Sequence, residues 1–350
     1  MTNFKPNDLT ERLLFWFDEH RRALPWRDAP CGQRDPYRVW LAEIMLQQTT
    51  VTAVIPYYEN FLRKWPNAKA LAAATDDEVM RSWAGLGYYA RARNMLKCAR
   101  TIANYFQGCF PKAEQDLLKL PGIGPYTAAA VSAIVGNGPT APVDGNVIRT
   151  ISRLYAVEAE MPKNKNQIQI LAQALCPQGQ SGDFAEALMD LGSQVCRPKN
   201  PKCPECPWHL DCNAFQSGLA LNYPKKALKK EKPTRRGWAF WIVRPDGSVF
   251  LEQRPPKGLL GGMMGLPTTH WDTQPPTAIE AMKALGFENG HSLPGFIKHT
   301  FTHFHLELRV IHVKANGTDE LSGIWALPQS LTEQALPSVM KKVIVHAQKG

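Results

Sequence analysis

The sequence predicts a multidomain protein in which an all-α region precedes a smaller α+β domain. Its 350 residues suffice for two or three domains, each with its own core. Apolar side chains in the first part recur at helical spacing over residues 90–107, 125–136, 165–176 and 183–195. Thr75 and Glu78 form a capping-box pattern, which predicts that another helix begins there.

Strand patterns replace the helical ones in the last third of the chain. The segments 237–244 and 249–253 flank Pro245-Asp246-Gly247-Ser248, which predicts a β-hairpin with glycine where a positive φ is needed. Residues 303–310 alternate between apolar and polar side chains, as a half-exposed strand does. These strands predict the smaller domain.

The charge of the chain is positive and uneven. The net charge is +10, yet residues 236–350 hold 11 basic and 9 acidic side chains, so most of the surplus lies before them. A basic surplus favours a polyanionic partner such as nucleic acid. The lysine-rich stretch 216–236 has no core pattern. It is interpreted as a linker lying near a phosphate backbone, or equally as a solvated tether.

Four cysteines form the strongest metal-ligand pattern. They are spaced C-x6-C-x2-C-x5-C in a proline-rich segment: Cys196, Cys203, Cys206 and Cys212. Four thiolates so close in sequence are typical of an iron–sulfur cluster or of structural zinc, and the spacing alone does not decide between them. A disulfide framework is less expected, because such frameworks belong to small secreted chains. The N-terminus resembles no signal peptide, and no apolar run is long enough to span a membrane, so we expect a cytoplasmic protein with reduced thiols.

Leu120-Pro121-Gly122-Ile123-Gly124 stands between a short predicted helix, 114–119, and a longer one, 125–136. Two glycines in such a turn let backbone N–H groups point outward at a helix start, where they bind a phosphate without reading sequence. This is a helix-hairpin-helix pattern. A plain turn with glycine caps is the alternative, which the flanking helices and the basic charge make less favoured.

Two carboxyl groups are predicted to differ in environment. Glu43 is the only charged residue between Arg38 and Glu59, so it is expected to be buried and to have a raised pKa, as a general acid requires. Asp144 precedes the predicted helix 146–155, where an N-cap and the helix dipole favour the anion. A protonated acid and a carboxylate are the two groups that glycosidic bond cleavage uses. The alternatives are an exposed glutamate and a simple capping aspartate.

Cleavage of a base in DNA also requires the base to leave the helix, so the enzyme needs a wedge and a pocket. The bend Gly85–Arg93 offers Tyr88 as a wedge and Arg91 as a phosphate ligand. Leu46 and Gln48, just after Glu43, are further wedge candidates. Core packing is the competing role for the aromatic residues.

Together these residues resemble the MutY-type adenine DNA glycosylases of the helix-hairpin-helix superfamily. The matching blocks are Leu24–Arg27, Trp40–Thr49, Gly85–Arg93, Leu120–Gly124, Val143–Asn146 and the cysteine quartet. The resemblance implies a catalytic region over 1–215, made of a six-helix barrel at about 28–140 and an iron–sulfur domain from 1–27 and 141–215. It also implies a [4Fe–4S] cluster on the four cysteines.

The resemblance further implies roles for single residues. Glu43 would protonate the adenine at N7, and Asp144 would stabilise or capture C1′, with Tyr126 and Asn146 positioning the intermediate. Arg27 would lie near the base pocket, and the polar segment 28–35 would be a neighbouring loop. The expected partner is double-stranded DNA carrying adenine opposite 8-oxoguanine or guanine, bound by a monomer with no membrane contact. In a bacterium it would be associated with the nucleoid.

Residues 237–350 resemble the C-terminal MutY domain that is related to Nudix hydrolases. The residues around Arg254-Pro255-Pro256 match its first loop, and Phe301–His305 matches the loop that recognises 8-oxoguanine, here with Thr302 in place of the commoner serine and with His303. Residues 279–287 lack the clustered glutamates that bind magnesium in a nucleotide hydrolase, so this domain is expected to recognise rather than catalyse.

Two rival functions follow from the same features. An endonuclease III-like lyase shares the hairpin, the aspartate and the cysteine spacing, but it needs a lysine amine two residues after the final glycine of the hairpin. Tyr126 occupies that position here and cannot form an imine. A non-catalytic DNA-binding iron–sulfur protein that senses damage is the other rival.

Overall fold

The computed structural model describes residues 6–27, 34–136, 138–227, 231–255, 258–315 and 321–349. Several residues discussed above lie outside the described residues. They are most of the predicted polar loop 28–35, including Cys31, and Lys229, Lys230 and Pro256. The chain divides into two compact units, one formed by Met1–Ala73 and Asn94–Leu228, the other by Ala74–Arg93 and Lys229–Gly350.

The helices follow one another along the first part of the chain, and two more lie among the strands. They are α1 (Pro6–His20), α2 (Pro36–Leu46), α3 (Val51–Lys64), α4 (Ala68–Ala73), α5 (Asp76–Trp83), α6 (Ala90–Tyr105), α7 (Glu114–Leu117), α8 (Pro125–Gly136), α9 (Gly145–Leu154), α10 (Lys165–Leu175), α11 (Ser181–Gln194), α12 (Asn213–Gln216), α13 (Ala278–Ala284) and α14 (Ser338–Ala347). Short 3-10 helices lie at Cys203–Glu205, Ala220–Asn222 and Pro328–Glu333.

The predicted helices are confirmed, most closely where a cap or a glycine marks the end. The capping box of Thr75 and Glu78 begins α5, with reciprocal hydrogen bonds between the two residues. Helix α8 has the predicted bounds, and α6, α10 and α11 differ from the predictions by one or two residues at an end. Such differences are within the fraying expected of helix termini.

The core of the first unit is built around α11, which packs against α1, α8 and α9. Leu13 and Phe17 of α1, Ile151 of α9, and Phe184 and Leu188 of α11 are all buried in it. Helix α2 packs against α8 and α3. This packing brings side chains of α2, α8, α9 and α11 together, although they are far apart in sequence.

The strands of the second unit are β1 (Thr234–Val243), β2 (Val249–Gln253), β3 (Met264–Gly265), β4 (His291–Ser292), β5 (Ile297–Thr300), β6 (His305–Lys314) and β7 (Ile324–Ala326). They form one sheet in the order β3-β2-β1-β6-β4, with β5 also paired to β6 and β7 to β2. Strands β1 and β6 are parallel, and the other pairs are antiparallel. The α+β class predicted from the sequence is confirmed.

The predicted hairpin is present as β1 and β2, with Gly247 at φ +81° in the turn. One core lies on the sheet face that α14 covers, and the other contains α13 residues, because alternate side chains of β1 and β6 point to opposite faces. Strand β1 begins three residues inside the predicted linker. Pairing with β6 extends it, since the N–H of His305 donates to the carbonyl of Pro233 at 2.9 Å. Among the described residues, no helix is both long and apolar enough to cross a membrane.

Candidate active site and nucleic-acid interface

Glu43 lies inside the first unit, on the apolar helix α2, and only 7% of it is exposed. Burial raises its pKa to about 7, and the negative charges of Asp144 and Glu186 also raise it. A hydrogen bond from Tyr126 and the positive charge of Arg27 act in the opposite direction. The burial predicted from the sequence is observed, and the carboxyl group can hold a proton near neutral pH.

Tyr126 is brought to Glu43 by the hairpin between α7 and α8. Gly122 has φ +76°, and a Cβ at that position would lie 2.6 Å from Cβ of Asn94, so the turn needs glycine. Gly122 and Gly124 are both exposed, and the first turn of α8 follows at once. The Tyr126 hydroxyl donates to the Glu43 carboxyl, and burial together with the two carboxylates raises the pKa of Tyr126 well above its usual value. The phenol therefore stays protonated and fixes the orientation of Glu43.

Asp144 is the N-cap of α9, as predicted. The N–H of Val147 donates to its Oδ1 at 2.7 Å, and Nδ2 of Asn146 donates to its Oδ2 at 2.8 Å. Both oxygens of the carboxyl group are thus held by donors of the first turn. Asn146 is held in turn by Arg149, whose Nη2 lies 2.9 Å from Oδ1 of the amide.

Arg149 also ties this turn to the segment before the cysteines. Its Nη2 donates to the carbonyl of Gly192 at 2.6 Å, and its Nε donates to the carbonyl of Cys196 at 2.7 Å. Arg149 could not be singled out from the sequence, because these partners are more than 40 residues away. The position of Asp144 therefore depends on the cysteine-bearing segment through Asn146 and Arg149.

Arg27 is held by a buried carboxylate that sequence reasoning missed. Its guanidinium donates to both oxygens of Asp190 at 2.6 and 3.0 Å and lies 3.4 Å from Glu186. The side chain of Asp190 is fully buried, and it also accepts from Nε of Arg22 at 2.6 Å. The network places Arg27 where it lowers the pKa of Glu43. Its contact with DNA stays a prediction.

A sequence signal for this network existed. Glu186 and Asp190 are four residues apart and are the only polar side chains in the stretch 184–192 of α11, which resembles the apolar surroundings that marked Glu43. Two carboxylates on one buried helix face require basic partners. The pattern indicates burial but not the identity of those partners, which come from elsewhere in the chain.

Two further predicted DNA-binding residues of the first unit lie just after Glu43. Leu46 is half-buried at the end of α2, and Gln48 is exposed with φ +58°. A positive φ in a glutamine is uncommon and marks a tight bend at this point. Both side chains are accessible enough to act as wedges, and that role stays a prediction.

The second unit contains the bend that carries Tyr88. Tyr88 is 50% exposed, with φ +49°, and its hydroxyl lies 3.2 Å from Oγ1 of Thr302. Two residues predicted to bind DNA from different sequence blocks therefore meet. Arg91 packs over the rings of Trp83 and Tyr88 and donates to the carbonyls of Leu86 and Gly87 at 3.2 and 3.1 Å.

Arg91 is therefore engaged within the bend. Burial lowers its pKa to about 10, so the guanidinium remains a cation at neutral pH. The hydrogen bonds hold the backbone that presents Tyr88. A phosphate contact by Arg91 stays a prediction.

Thr302 and His303 form the exposed tip of a turn between β5 and β6. The turn is closed by a hydrogen bond from the N–H of Phe301 to the carbonyl of Phe304 at 2.9 Å. Thr302 and His303 are thus presented together, as recognition of a base by this turn would require.

The cysteine quartet lines one small cavity together with Val195, Arg153 and Phe215. Within the described residues, no group of three or more His, Cys, Asp or Glu side chains is arranged to hold a metal ion as the side chains stand. The donor set nevertheless suits an iron–sulfur cluster. All four sulfurs border the same enclosed space, and hydrogen-bond donors approach them, as at such clusters.

The nearest donor to a sulfur is Arg153, whose Nη1 lies 3.3 Å from Sγ of Cys196. Backbone N–H groups of Trp208 and Phe215 donate to Cys206 and Cys212. Donors of this kind stabilise negative charge on sulfur, which thiolate ligands carry. The three remaining described cysteines, Cys98, Cys109 and Cys176, lie apart from this cavity.

Helix α13 covers most of the segment 279–287, whose side chains differ from those of a Nudix box. Its one acidic residue, Glu280, is used in a capping box with Thr277. No glutamate cluster exists in the sequence 279–287. This helix therefore lacks the carboxylates that would bind magnesium.

Two family models match the chain. Residues 41–178 match an HhH-GPD superfamily base excision DNA repair protein, and residues 238–346 match a NUDIX domain. These matches agree with the helical region followed by a smaller sheet-containing domain.

Curated relatives of the chain include adenine DNA glycosylases. The chain is 32% identical to the adenine DNA glycosylase of Homo sapiens over 395 residues, which cover 95% of this chain and 72% of that protein. It is 31% identical to the adenine DNA glycosylase of Buchnera aphidicola subsp. Schizaphis graminum, with 96% and 97% of the two chains covered. A solved structure, of a thermostable thymine-DNA glycosylase, superposes with a TM-score of 0.54 at 30% identity, covering 59% of this chain and 95% of that one. On this similarity, which extends over both units, the chain belongs to the MutY-type adenine DNA glycosylases, enzymes of DNA base excision repair.

Proposed function

We propose that this DNA glycosylase is monofunctional and removes adenine mispaired with 8-oxoguanine or guanine in double-stranded DNA. The observation that carries the proposal is the environment of Glu43. It is a buried carboxyl group with a pKa near 7, hydrogen-bonded by Tyr126 and close enough to Asp144 for that charge to act on it. An acid that is protonated at neutral pH beside a second carboxylate is the arrangement used for glycosidic cleavage.

In the proposed reaction, Glu43 gives its proton to N7 of the flipped adenine. The bond between C1′ and N9 then breaks, its electron pair leaves with the base, and positive charge develops on the sugar. The carboxylate of Asp144 stabilises that charge, because Val147 and Asn146 hold it at the start of α9. Water adds to C1′ and gives up one proton, which restores the acid form of Glu43, and an abasic site remains.

The proposal of a monofunctional enzyme rests on Tyr126. A lyase forms an imine between an amine and C1′, and the residue that the hairpin brings beside Glu43 and Asp144 is a phenol. Tyr126 can orient Glu43 but has no nitrogen to react. The strand should therefore stay intact after base release, until alkali cleaves the abasic site.

Recognition of the opposite base is assigned to the turn with Thr302 and His303 at its tip. Both side chains are exposed, and Thr302 lies within hydrogen-bond distance of Tyr88. A hydroxyl and an imidazole provide donors and acceptors for the edge of 8-oxoguanine. Because α13 lacks a Nudix box, the domain is proposed to bind without hydrolysing.

Cys196, Cys203, Cys206 and Cys212 are proposed to hold a [4Fe–4S] cluster. When bound, it would cross-link the segment that follows α11. Through Arg149 that segment supports the first turn of α9, which carries Asp144. The protein is proposed to act as a monomer.

The test is single-turnover base release from three duplexes, carrying adenine opposite 8-oxoguanine, adenine opposite thymine, and thymine glycol opposite adenine. Each is analysed with and without alkali. We expect adenine release at the 8-oxoguanine pair alone, with strand breaks appearing only after alkali. Breaks at thymine glycol without alkali would show a lyase, and binding without base release would show a damage sensor.

A further inference from the structure

Four rings lie at the base of the turn that carries Thr302 and His303. Trp271 stacks on Phe301 with ring centroids 5.8 Å apart and an interplanar angle of 25°. Phe301 also contacts Phe304 at 4.9 Å and His299 at 4.6 Å. These four residues are referred to as the aromatic stack.

One cation lies at each end of the aromatic stack. The guanidinium of Arg254 lies 5.3 Å from the Trp271 ring centroid, and that of Arg235 lies 4.6 Å from the Phe304 centroid. Both distances are within the range of cation–π attraction. The two phenylalanines on either side of the tip are therefore held from both ends.

The turn depends on these phenylalanines for its position. Its closing hydrogen bond runs from Phe301 to Phe304, and Nζ of Lys232 donates to the carbonyl of Phe301 at 3.1 Å. Phe304 is buried and Phe301 packs against the same core, whereas both tip residues are exposed. The location of the tip is thus set by the rings below it.

Trp271 belongs both to this stack and to the core of the second unit. It is only 7% exposed, and within the described residues its indole N–H has no hydrogen-bond partner. A buried indole usually finds an acceptor, so hydrogen bonding does not explain a tryptophan at this position. The size and flat shape of the indole ring explain the tryptophan, because the ring contacts both Phe301 and Arg254.

The neighbouring strand leaves space for that ring. Gly237 lies within β1, and a Cβ there would be 2.9 Å from Cδ1 of Trp271. Glycine weakens a strand interior and often marks the close approach of another group. The strand thus accommodates the indole at the place where it supports Phe301.

We propose that Trp271, held between Arg254 and Phe301, is a positioning residue that sets the preference of the enzyme for 8-oxoguanine over guanine opposite adenine. The inference rests on the proposed function of the turn. The two bases differ by few atoms, so discrimination requires the tip to be held to within about 0.5 Å. A rigid stack provides that placement before DNA binds, which reduces the cost of ordering the turn on binding.

The test compares full-length Trp271→Leu with Trp238→Leu as a matched control. Trp238 lies in β1 and is also 7% exposed, but it belongs to the core that contains α13 residues, and its indole N–H donates to the carbonyl of Pro276. For each protein, dissociation constants are measured for duplexes with a non-cleavable adenine analogue opposite 8-oxoguanine or guanine. Tm is recorded alongside.

We expect Trp271→Leu to reduce the ratio of the two dissociation constants by about 5- to 30-fold, from the loss of one ring stack and one cation–π contact. Trp238→Leu should lower Tm by a similar amount and keep the ratio within about twofold of the parent value. Trp271→Phe, which restores a ring, should recover most of the preference.

Three results would overturn the inference: an unchanged ratio in Trp271→Leu, an equal loss in Trp238→Leu, or no recovery in Trp271→Phe. Arg254→Met keeps an aliphatic side chain and removes the cation, so it tests the contact between Arg254 and Trp271 if Trp271→Leu fails to fold. The ratio of the two dissociation constants should then fall by about threefold. A parent enzyme that shows no preference for 8-oxoguanine would instead refute the proposed function of the turn.

Discussion

The pKa of Glu43 leads to the sharpest prediction for catalysis. A glutamate with the ordinary value of 4.5 would be protonated in about one molecule in 300 at pH 7, whereas a pKa of about 7 makes about half of the molecules protonated. Burial thus increases the fraction of usable acid by about 150-fold. The shift corresponds to about 3 kcal/mol between the two protonation states, which is appropriate for a carboxyl group that is only 7% exposed.

The sign of the pH dependence follows directly. The protonated form donates to the leaving base, so below pH 7 deprotonation of Glu43 should no longer limit the rate. Above pH 7 the rate should fall about tenfold per pH unit. The assay is single-turnover adenine release at saturating protein, measured from pH 6 to pH 9 on the 8-oxoguanine duplex.

Glu43→Gln removes the proton donor and keeps the shape of the side chain. We expect it to slow base release by about 10²- to 10⁴-fold and to abolish the alkaline decline, with DNA affinity little changed. Glu19→Gln changes an exposed glutamate of α1 and serves as the control, with an unchanged rate. A wild-type rate that stays constant from pH 7 to pH 9, or a Glu43→Gln rate within tenfold of wild type, would refute the assignment of Glu43 as the acid.

Four further predictions concern other parts of the molecule. Asp144→Asn should leave Tm unchanged, because asparagine also caps helices, yet it should slow base release by about 10²- to 10³-fold. Asp144→Ala should slow base release as well and should also lower the free energy of unfolding by about 1 kcal/mol, measured by urea denaturation. Tyr126→Phe removes the hydrogen bond that lowers the pKa of Glu43, so the alkaline limb of the pH–rate profile should move to higher pH, and a move to lower pH would contradict the geometry. Cys206→Ser should reduce the iron content of purified protein and its Tm, and unchanged iron would argue against this ligand. DNA affinity should fall steeply with salt, and nearly flat binding between low and moderate salt would contradict the predicted phosphate contacts.

The sequence predicted most of what depends on neighbouring residues. Helix starts at Thr75 and Asp144 followed from their capping side chains, and both caps are present. The burial of Glu43 followed from a run of apolar residues around it, and the β1–β2 hairpin followed from a turn with glycine at positive φ. Each of these signals is local, and the chemistry that produces it acts within a few residues.

Features that depend on distant residues were not predicted. Asp190 and Arg27 are 163 residues apart along the chain. They meet because α11 packs against α1, and Arg27 follows α1 closely in the sequence. The aromatic stack likewise joins Trp271 to Phe301, which lie far apart in the sequence. A sequence shows that a buried carboxylate or a large ring needs a partner, but packing decides which residue it is.

Arg91 shows that a sequence pattern does not decide between two possible roles of an arginine. Its position in a basic, glycine-rich bend suggested a phosphate ligand, yet its guanidinium donates to the carbonyls of Leu86 and Gly87. An arginine can serve either role, and the choice depends on whether unpaired carbonyls lie within its reach. The bend supplies them, because a tight turn leaves carbonyl groups without helical partners.

Proton donation by Glu43 to N7 is tested most directly by comparing the release of adenine with that of 7-deazaadenine opposite 8-oxoguanine. The analogue keeps the ring shape but has no N7 to receive the proton of Glu43. Wild type should release 7-deazaadenine as slowly as Glu43→Gln releases adenine, and combining the variant with the analogue should cause no further loss. Release of 7-deazaadenine by wild type at the rate of adenine would contradict this role of Glu43, because acid assistance at N7 would then contribute nothing.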